Sequence, residues 1–253
     1  MCECNVFRSV SIQYKISFSS FIFSVRMFHK LFLRNLQSLT RITQTSAGIS
    51  KRAMQTNYRD YVKFLELVGN VKQLKRTGWV LRNVREPETV AAHMYRMSLL
   101  SFLIPESSAL DQIKCMKLAL IHDLAEAIVG DITPYCGIAR EEKQRREHEA
   151  IIEISSLVPK ISGEEILKLF EEYESQQTPE SQWVKDCDRY DMIQQAFEYE
   201  KRDEAPMKHQ EFFDNTRGMF RHPFFVHLVE ELNKQREEYL STTLEEKKNH
   251  SAS

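Results

Sequence analysis

"ALIHDLAEAIVGDITP", residues 119–134, sets His122, Asp123, Glu126 and Asp131 into an otherwise apolar run. Leu118, Ala119, Ile121, Leu124 and Ala127 mark the segment as buried. An unpaired carboxylate in such a setting either costs free energy or shifts its pKa until it is neutral. A divalent cation removes that penalty, and His with carboxylate is a sound ligand set for a first-row metal. For a His-Asp pair alone, the competing account is a helix with one polar face. Spacing predicts a continuous helix over 111–129, ended by Gly130 at the C′ position. His122 and Glu126 then share a face, and Asp123 is turned about a third of the way round.

Outward from that stretch the chain reads as helix after helix. "YVKFLELVGNVKQLKR" puts Tyr61, Phe64, Leu65, Val68 and Val71 on one stripe. Residues 76–88 read as a connector holding Gly78 and Pro87, and a helix is predicted over 88–104. Another covers 140–158, stopped by Pro159, and Ser162 with Glu165 suggests a capping box for one over 163–175. Pro179 suits the first turn of a further helix over 179–202. A last helix is expected over about 223–240, with a disordered polar tail over 241–253. Seven Gly and seven Pro in 253 residues are too few turn formers for an all-β fold of this length. The expected class is all-α, a single helical bundle over 57–240.

Composition narrows the function classes. The five Cys include no CxxC and two near the N-terminus, so a reducing compartment is expected rather than a disulfide framework. The net charge of −1 hides an asymmetry: residues 1–56 hold eight Lys/Arg and a single acid, Glu3, which leaves −8 for the remainder. A globular part so charged is a poor candidate for nucleic-acid binding. Residues 27–54 are basic, rich in Ser and Thr and free of acids, with Phe28, Leu31, Phe32, Leu36 and Leu39 at near-helical spacing. That is the pattern of a mitochondrial transit peptide, and the alternative is a disordered extension on a cytoplasmic protein. The apolar run 16–25 is too short to span a bilayer, and no membrane association is expected.

Two further helices supply candidate ligands. His93 stands among Val90, Ala91, Ala92, Met94 and Met97. Asp188 falls in the run Val184, Asp188, Met192, Gln195, which should face the core. Asp186 and Asp191 are rivals: Asp186, roughly 200° round the helix from Asp188, should face solvent, and Asp191, about 60° off, suits a partner of a ligand. His93, His122, Asp123 and Asp188 together make an H…HD…D set on three helices.

That pattern on an all-α chain resembles the HD-domain metal-dependent phosphohydrolases. "RTGWVLRNVREPETVAAHMYRM" (76–97), "LALIHDLAEAIVGDITP" (118–134), "EEKQRREHEA" (141–150) and "VKDCDRYDMIQQAFEYE" (184–200) are similar to the 5′-deoxynucleotidase branch of that family. The similarity spans about 57–240. It implies that His93, His122, Asp123 and Asp188 hold the main metal, with Asp188 selected over Asp186 by the family's match to "WVKDCD". It implies that Glu126 is the catalytic carboxylate and Asp131 its partner, the two also being ligands of a second metal. Trp79 is implied beside the deoxyribose, and Thr133 and Pro134 in a loop touching substrate. This chain departs from the bacterial members at Gly78, where they carry Arg, and at Tyr135-Cys136-Gly137, where they carry Lys. The phosphate then falls to Arg76, Arg82 or Arg85, a choice the sequence leaves open.

The expected reaction is metal-dependent hydrolysis of deoxyribonucleoside 5′-monophosphates to deoxynucleoside and phosphate, with a homodimer implied by the resemblance. Nitrogen and oxygen ligands suit Mn²⁺, Co²⁺, Fe²⁺ or Zn²⁺ better than Mg²⁺ alone. The alternatives are hydrolysis of a deoxynucleoside triphosphate or an alarmone, and a metal-binding regulatory module without turnover. The net −8 weighs against the first, and Glu126 with Asp131, which the main site does not need, against the second.

Overall fold

The computed structural model describes residues 58–251; the transit peptide or disordered extension expected over 1–56 lies outside them. The described residues form one compact unit. Its helices are α1 (58–70), α2 (Thr77–Val80), α3 (Val90–Leu100), α4 (Gln112–Ile121), α5 (Glu126–Val129), α6 (Arg140–Ser156), α7 (Lys160–Ser175), α8 (Pro179–Arg202), α9 (Gln210–Thr216) and α10 (Pro223–Ser251). Among the described residues the extended pairing is confined to one bridge between Lys75 and Thr89. No described helix is long and apolar enough to cross a membrane.

Local chemistry explains most boundaries. Thr89 caps α3 by accepting from the Ala92 amide, and Asp111 caps α4 by accepting from Lys114. Thr178 and Ser181 form a reciprocal capping box on α8, with Pro179 in its first turn. Other ends differ from expectation. α7 begins at Lys160, straight after Pro159, so Ser162 lies inside its first turn and caps nothing. The connector 76–88 holds the short helix α2, and α9 carried no separate signal. α10 continues to Ser251, past residue 240, because "LEEKK" (244–248) is made of good helix formers and nothing breaks the run.

The most consequential difference falls in the opening stretch. The helix predicted over 111–129 is interrupted at His122–Ala125, between α4 and α5. Leu124, Glu126, Ala127 and Ile128 each donate to the carbonyl three residues back instead of four. The tighter winding turns each residue further round the axis than an α-helix does. Gly130 then stops the chain at φ 76, ψ 167, a conformation that a side chain disfavours.

α8 is the central helix. No residue from Gln182 to Glu200 is exposed, and it packs against α3, α4, α7, α9 and α10. It belongs to a core that includes Met97, Leu118, Trp183, Val184, Ile193, Phe197 and Phe225. A second core joins Val71, Val90, Met94, Leu124, Ile151, Ile154 and Phe170. Two polar ties pin α10 to α8. The buried Arg236 guanidinium grips Glu200, Nε to Oε2 at 2.7 Å and Nη2 to Oε1 at 2.8 Å. Asp186 is also fully buried, against the expectation that it faces solvent. Its Oδ2 accepts from the Arg221 and His222 amides, both at 2.8 Å, ahead of the first turn of α10. The solvent-face argument assumed one inward stripe, and a helix enclosed on all sides has no outward face.

Candidate metal centre and active site

The site lies where α3, the α4–α5 break and α8 meet. Val90, His93, Met94, Met97 and Leu100 are the buried face of α3, which drives His93 into the interior at 0% exposure. His122 is the residue at which α4 ends, 3% exposed, and Asp123 follows in the break. Asp188 projects from α8 and keeps partial solvent access.

Each histidine is committed at one nitrogen and free at the other. His93 Nδ1 lies 2.6 Å from Asp191 Oδ2, and His122 Nδ1 lies 2.9 Å from the Ala119 carbonyl. Each Nδ1 therefore carries the donated proton, which leaves Nε2 as a lone pair. Both Nε2 atoms are buried without a hydrogen-bond partner. His122 Nε2 stands 3.0 Å from Asp123 Oδ2. His93 Nε2 stands 3.4 Å from Asp188 Oδ1 and 3.8 Å from Asp123 Oδ2. Lone pairs facing carboxylate oxygens at these distances repel unless positive charge lies between them. Separations of this size also match atoms sharing one ion at bond lengths of about 2.0–2.2 Å. The donor set fits a divalent first-row cation.

The pKa pattern carries the same demand. Burial and the Arg76 charge lower the His93 pKa, but the facing Asp188 and Asp191 carboxylates outweigh them and raise it to about 9, so an ion bound at Nε2 takes the place of a proton. Burial raises Asp123, yet the charges of His122 and His93 hold its carboxyl well below the ordinary range. Burial likewise raises Asp188, and the Lys185 ammonium and His93 hold it low. The cluster takes up positive charge wherever it can obtain it.

Glu126 stands apart in character. It is 4% exposed, and its Oε2 is buried with no partner. Burial first, then the charges of Asp123 and Asp131, push its carboxyl well above the ordinary value. Asp131 is anchored by Thr77, whose amide donates to Oδ2 at 2.6 Å and whose hydroxyl donates to the Asp131 carbonyl at 2.8 Å. Burial and Asp123 raise its carboxyl, while the Thr77 amide and Arg76 pull it down.

The proposed substrate contacts divide. Arg76 lies within electrostatic reach of the cluster: its charge acts on Glu88, Asp188, Asp191 and Asp123, and its Nη1 is buried without a partner. Arg82 is bound instead to Glu211 and to the Gly78 carbonyl, and it stacks over Tyr135 and Phe212. Arg85 is exposed. Trp79, expected beside a sugar, is a core residue at 1% exposure, packed on Tyr199, His209 and Phe212 with its Nε1 donating to Glu88. The indole offers no open face, because α2 lies over α8 and α9 and turns it inward. Thr133 and Pro134 follow Asp131 in a short turn, where the Thr133 amide and hydroxyl meet Cys136 Sγ at 3.4 Å.

Three side chains at the site were not foreseen. Tyr173 donates to Asp188 Oδ2 at 2.9 Å, and Lys185 donates to the same oxygen at 2.8 Å. Lys143 of α6 acts on Glu126 and Asp123. A readable signal existed for Lys143: it shares the inward stripe of α6 with Glu147, Ala150, Ile151 and Ile154.

An HD-domain family model matches residues 68–224, a span that contains every ligand of the cluster. The chain belongs to the HD-domain family. Its similarity to other HD-domain proteins is extensive. It is 47% identical over 178 residues to 5′-deoxynucleotidase HDDC2 of Homo sapiens, covering 70% of this chain and 87% of that protein. It is 38% identical over 190 residues to 5′-deoxynucleotidase hdd1 of Schizosaccharomyces pombe, covering 74% and 95%. Among solved structures, a conserved hypothetical protein from Pyrococcus furiosus superposes with a TM-score of 0.55 at 31% identity, covering 68% of this chain and 99% of that one. The break at His122–Ala125 is thus where this HD domain presents its adjacent His and Asp.

Proposed function

We propose that this HD-domain protein is a metal-dependent 5′-deoxynucleotidase, releasing phosphate from deoxyribonucleoside 5′-monophosphates. One observation carries the reading: two unpartnered Nε2 atoms, on His93 and His122, converge with Asp123 and Asp188 beside the unpartnered Glu126 carboxyl. The relatives named as 5′-deoxynucleotidases support the substrate class.

His93, His122, Asp123 and Asp188 would hold the ion. When bound, it supplies Lewis acidity toward a phosphoryl oxygen and makes a bound water more acidic. The chain's own groups do the rest. Glu126, buried beside Asp123 with its Oε2 unpartnered, is the carboxylate suited to take the proton of the attacking water. The new bond is water oxygen to phosphorus, and the bond that breaks is phosphorus to the 5′-oxygen. The proton on Glu126 then passes to the departing 5′-oxygen, leaving deoxynucleoside and inorganic phosphate. Arg76 offsets charge on the phosphoryl oxygens, and Asp131, fixed by Thr77, supports the neighbouring contact.

Phosphate release from mono-, di- and triphosphates of deoxy- and ribonucleosides, with Mn²⁺ or Co²⁺ present, tests the reading. Release from deoxynucleoside monophosphates alone is expected. Preference for triphosphates would instead favour a triphosphohydrolase.

A further inference from the structure

Two cations of different origin border the ligand cluster. Arg76, just before α2, acts on Asp123, Asp188 and Asp191 and is itself drawn to Glu88, Nε to Oε1 at 3.7 Å. Lys143 lies on the inward stripe of α6, which packs on α5 where that helix begins at Glu126, and its charge acts on Glu126, Asp123 and Asp131. A lysine on an inward stripe is unfavourable unless its ammonium has partners or solvent. Its ion-pair partner is Glu147, whose Oε1 lies at 3.4 Å. One long contact leaves most of the three ammonium donors uncommitted, and the side chain keeps access to solvent, being 36% exposed.

The other cations nearby are more fully engaged. Arg82 is held by Glu211, Lys185 by Asp188 and Tyr173, and Arg96 by Asp191, Glu198 and Gln195. The site also needs positive charge on the side of Glu126 and Asp131. Asp123, Glu126, Asp131 and Asp188 oppose the approach of a phosphomonoester dianion, and a divalent ion with Arg76 offsets part of that repulsion.

We propose that Lys143 is a phosphate-binding residue. Its ammonium donates charge-assisted hydrogen bonds to the non-bridging phosphoryl oxygens of a monoester held at the His93–His122–Asp123–Asp188 cluster, and Glu147 anchors the amine between turnovers. The assignment rests on the phosphomonoesterase reading and adds a residue to it.

The test uses the full chain and its Lys143→Met, Lys143→Gln and Lys143→Arg variants. Their readouts are KM and kcat for deoxynucleoside monophosphates, the inhibition constant and direct titration of inorganic phosphate with Mn²⁺ present, and metal content. Both neutral variants should raise KM and weaken phosphate binding about 10–100-fold, with metal content unchanged. Lys143→Arg should stay within about 3-fold of the original chain. Constants within about 2-fold of the original in both neutral variants would overturn the assignment, as would an original chain that does not bind phosphate. The two readings fail differently. Phosphate binding that depends on Lys143, without hydrolysis of any deoxynucleoside monophosphate, sinks the substrate class and supports Lys143. Hydrolysis with unchanged constants sinks Lys143 alone.

Discussion

Asp191 Oδ2 lies 2.6 Å from His93 Nδ1, and neither side chain is exposed to solvent. Asp191 is in turn gripped by Arg96, whose remaining nitrogens reach Glu198 at 2.8 Å and Gln195 at 2.9 Å. The imidazole is thus aimed by a chain of charged groups rooted on α8. Asp191→Ala should weaken metal affinity about 10–100-fold. It should also destabilise the protein by about 3 kcal/mol, because His93 and Arg96 lose a buried partner. Metal titration and denaturant unfolding check the two effects separately. Wild-type metal affinity in this variant would remove Asp191 from the account.

Asp186 and Asp188 are two residues apart and have unlike tasks. Asp186→Ala removes the acceptor of two backbone amides at the start of α10 and should cost about 2 kcal/mol. A solvent-facing Asp186 would instead cost no more than about 0.5 kcal/mol. Metal content should stay at the wild-type level. Asp188→Ala should do the reverse, losing metal and activity. Mass spectrometry of the purified variants, beside their melting curves, decides the pair; metal loss in Asp186→Ala would contradict it.

Glu126 separates binding from turnover. Glu126→Gln keeps the shape, removes the proton acceptor and leaves His93, His122, Asp123 and Asp188 in place. Hydrolysis should fall by at least about 100-fold, the lower end for loss of a general base. Occupancy of the main metal site should not change. A variant with full activity at saturating metal would show that Glu126 is not the base.

Glu147 gives a pH signature. Burial, ahead of its neighbours' charges, raises its carboxyl to about 7. Between its ordinary value of 4.5 and about 7 the folded chain binds the proton more tightly than the unfolded chain does. Stability from this group is therefore present at low pH and lost as pH rises through that window, by about 3 kcal/mol in all. Glu147→Gln should flatten this dependence, so that the variant gains on the original chain at pH 8 and not at pH 4. Melting temperatures of both across that range provide the check; parallel profiles would refute it.

Much of the centre was legible because its chemistry is local. An adjacent His and Asp in an apolar run, a lone His on the inner face of α3 and an Asp on the α8 stripe point to a shared ion wherever those helices meet. What was hidden depended on how they meet. Asp186 looked solvent-facing because nothing in one helix reveals that α10 starts against it. Tyr173 and Arg96 act across helices, and their spacing carries no trace of that. The interruption at His122–Ala125 replaces four-residue with three-residue bonding inside a segment whose apolar pattern fits an unbroken helix. Trp79 was misplaced because family likeness located its segment without revealing which way the indole turns.

The central claim is that His93, His122, Asp123 and Asp188 hold one divalent ion that hydrolysis requires. The direct measurement follows metal content and hydrolysis of a deoxynucleoside 5′-monophosphate in the same sample, through chelation and stepwise return of Mn²⁺ or Co²⁺, alongside Asp123→Ala. Activity should vanish on chelation, return in step with occupancy of the main site and yield one phosphate per deoxynucleoside. Asp123→Ala should neither bind the ion there nor turn over. Undiminished hydrolysis by the metal-free protein, or by Asp123→Ala, would contradict the account.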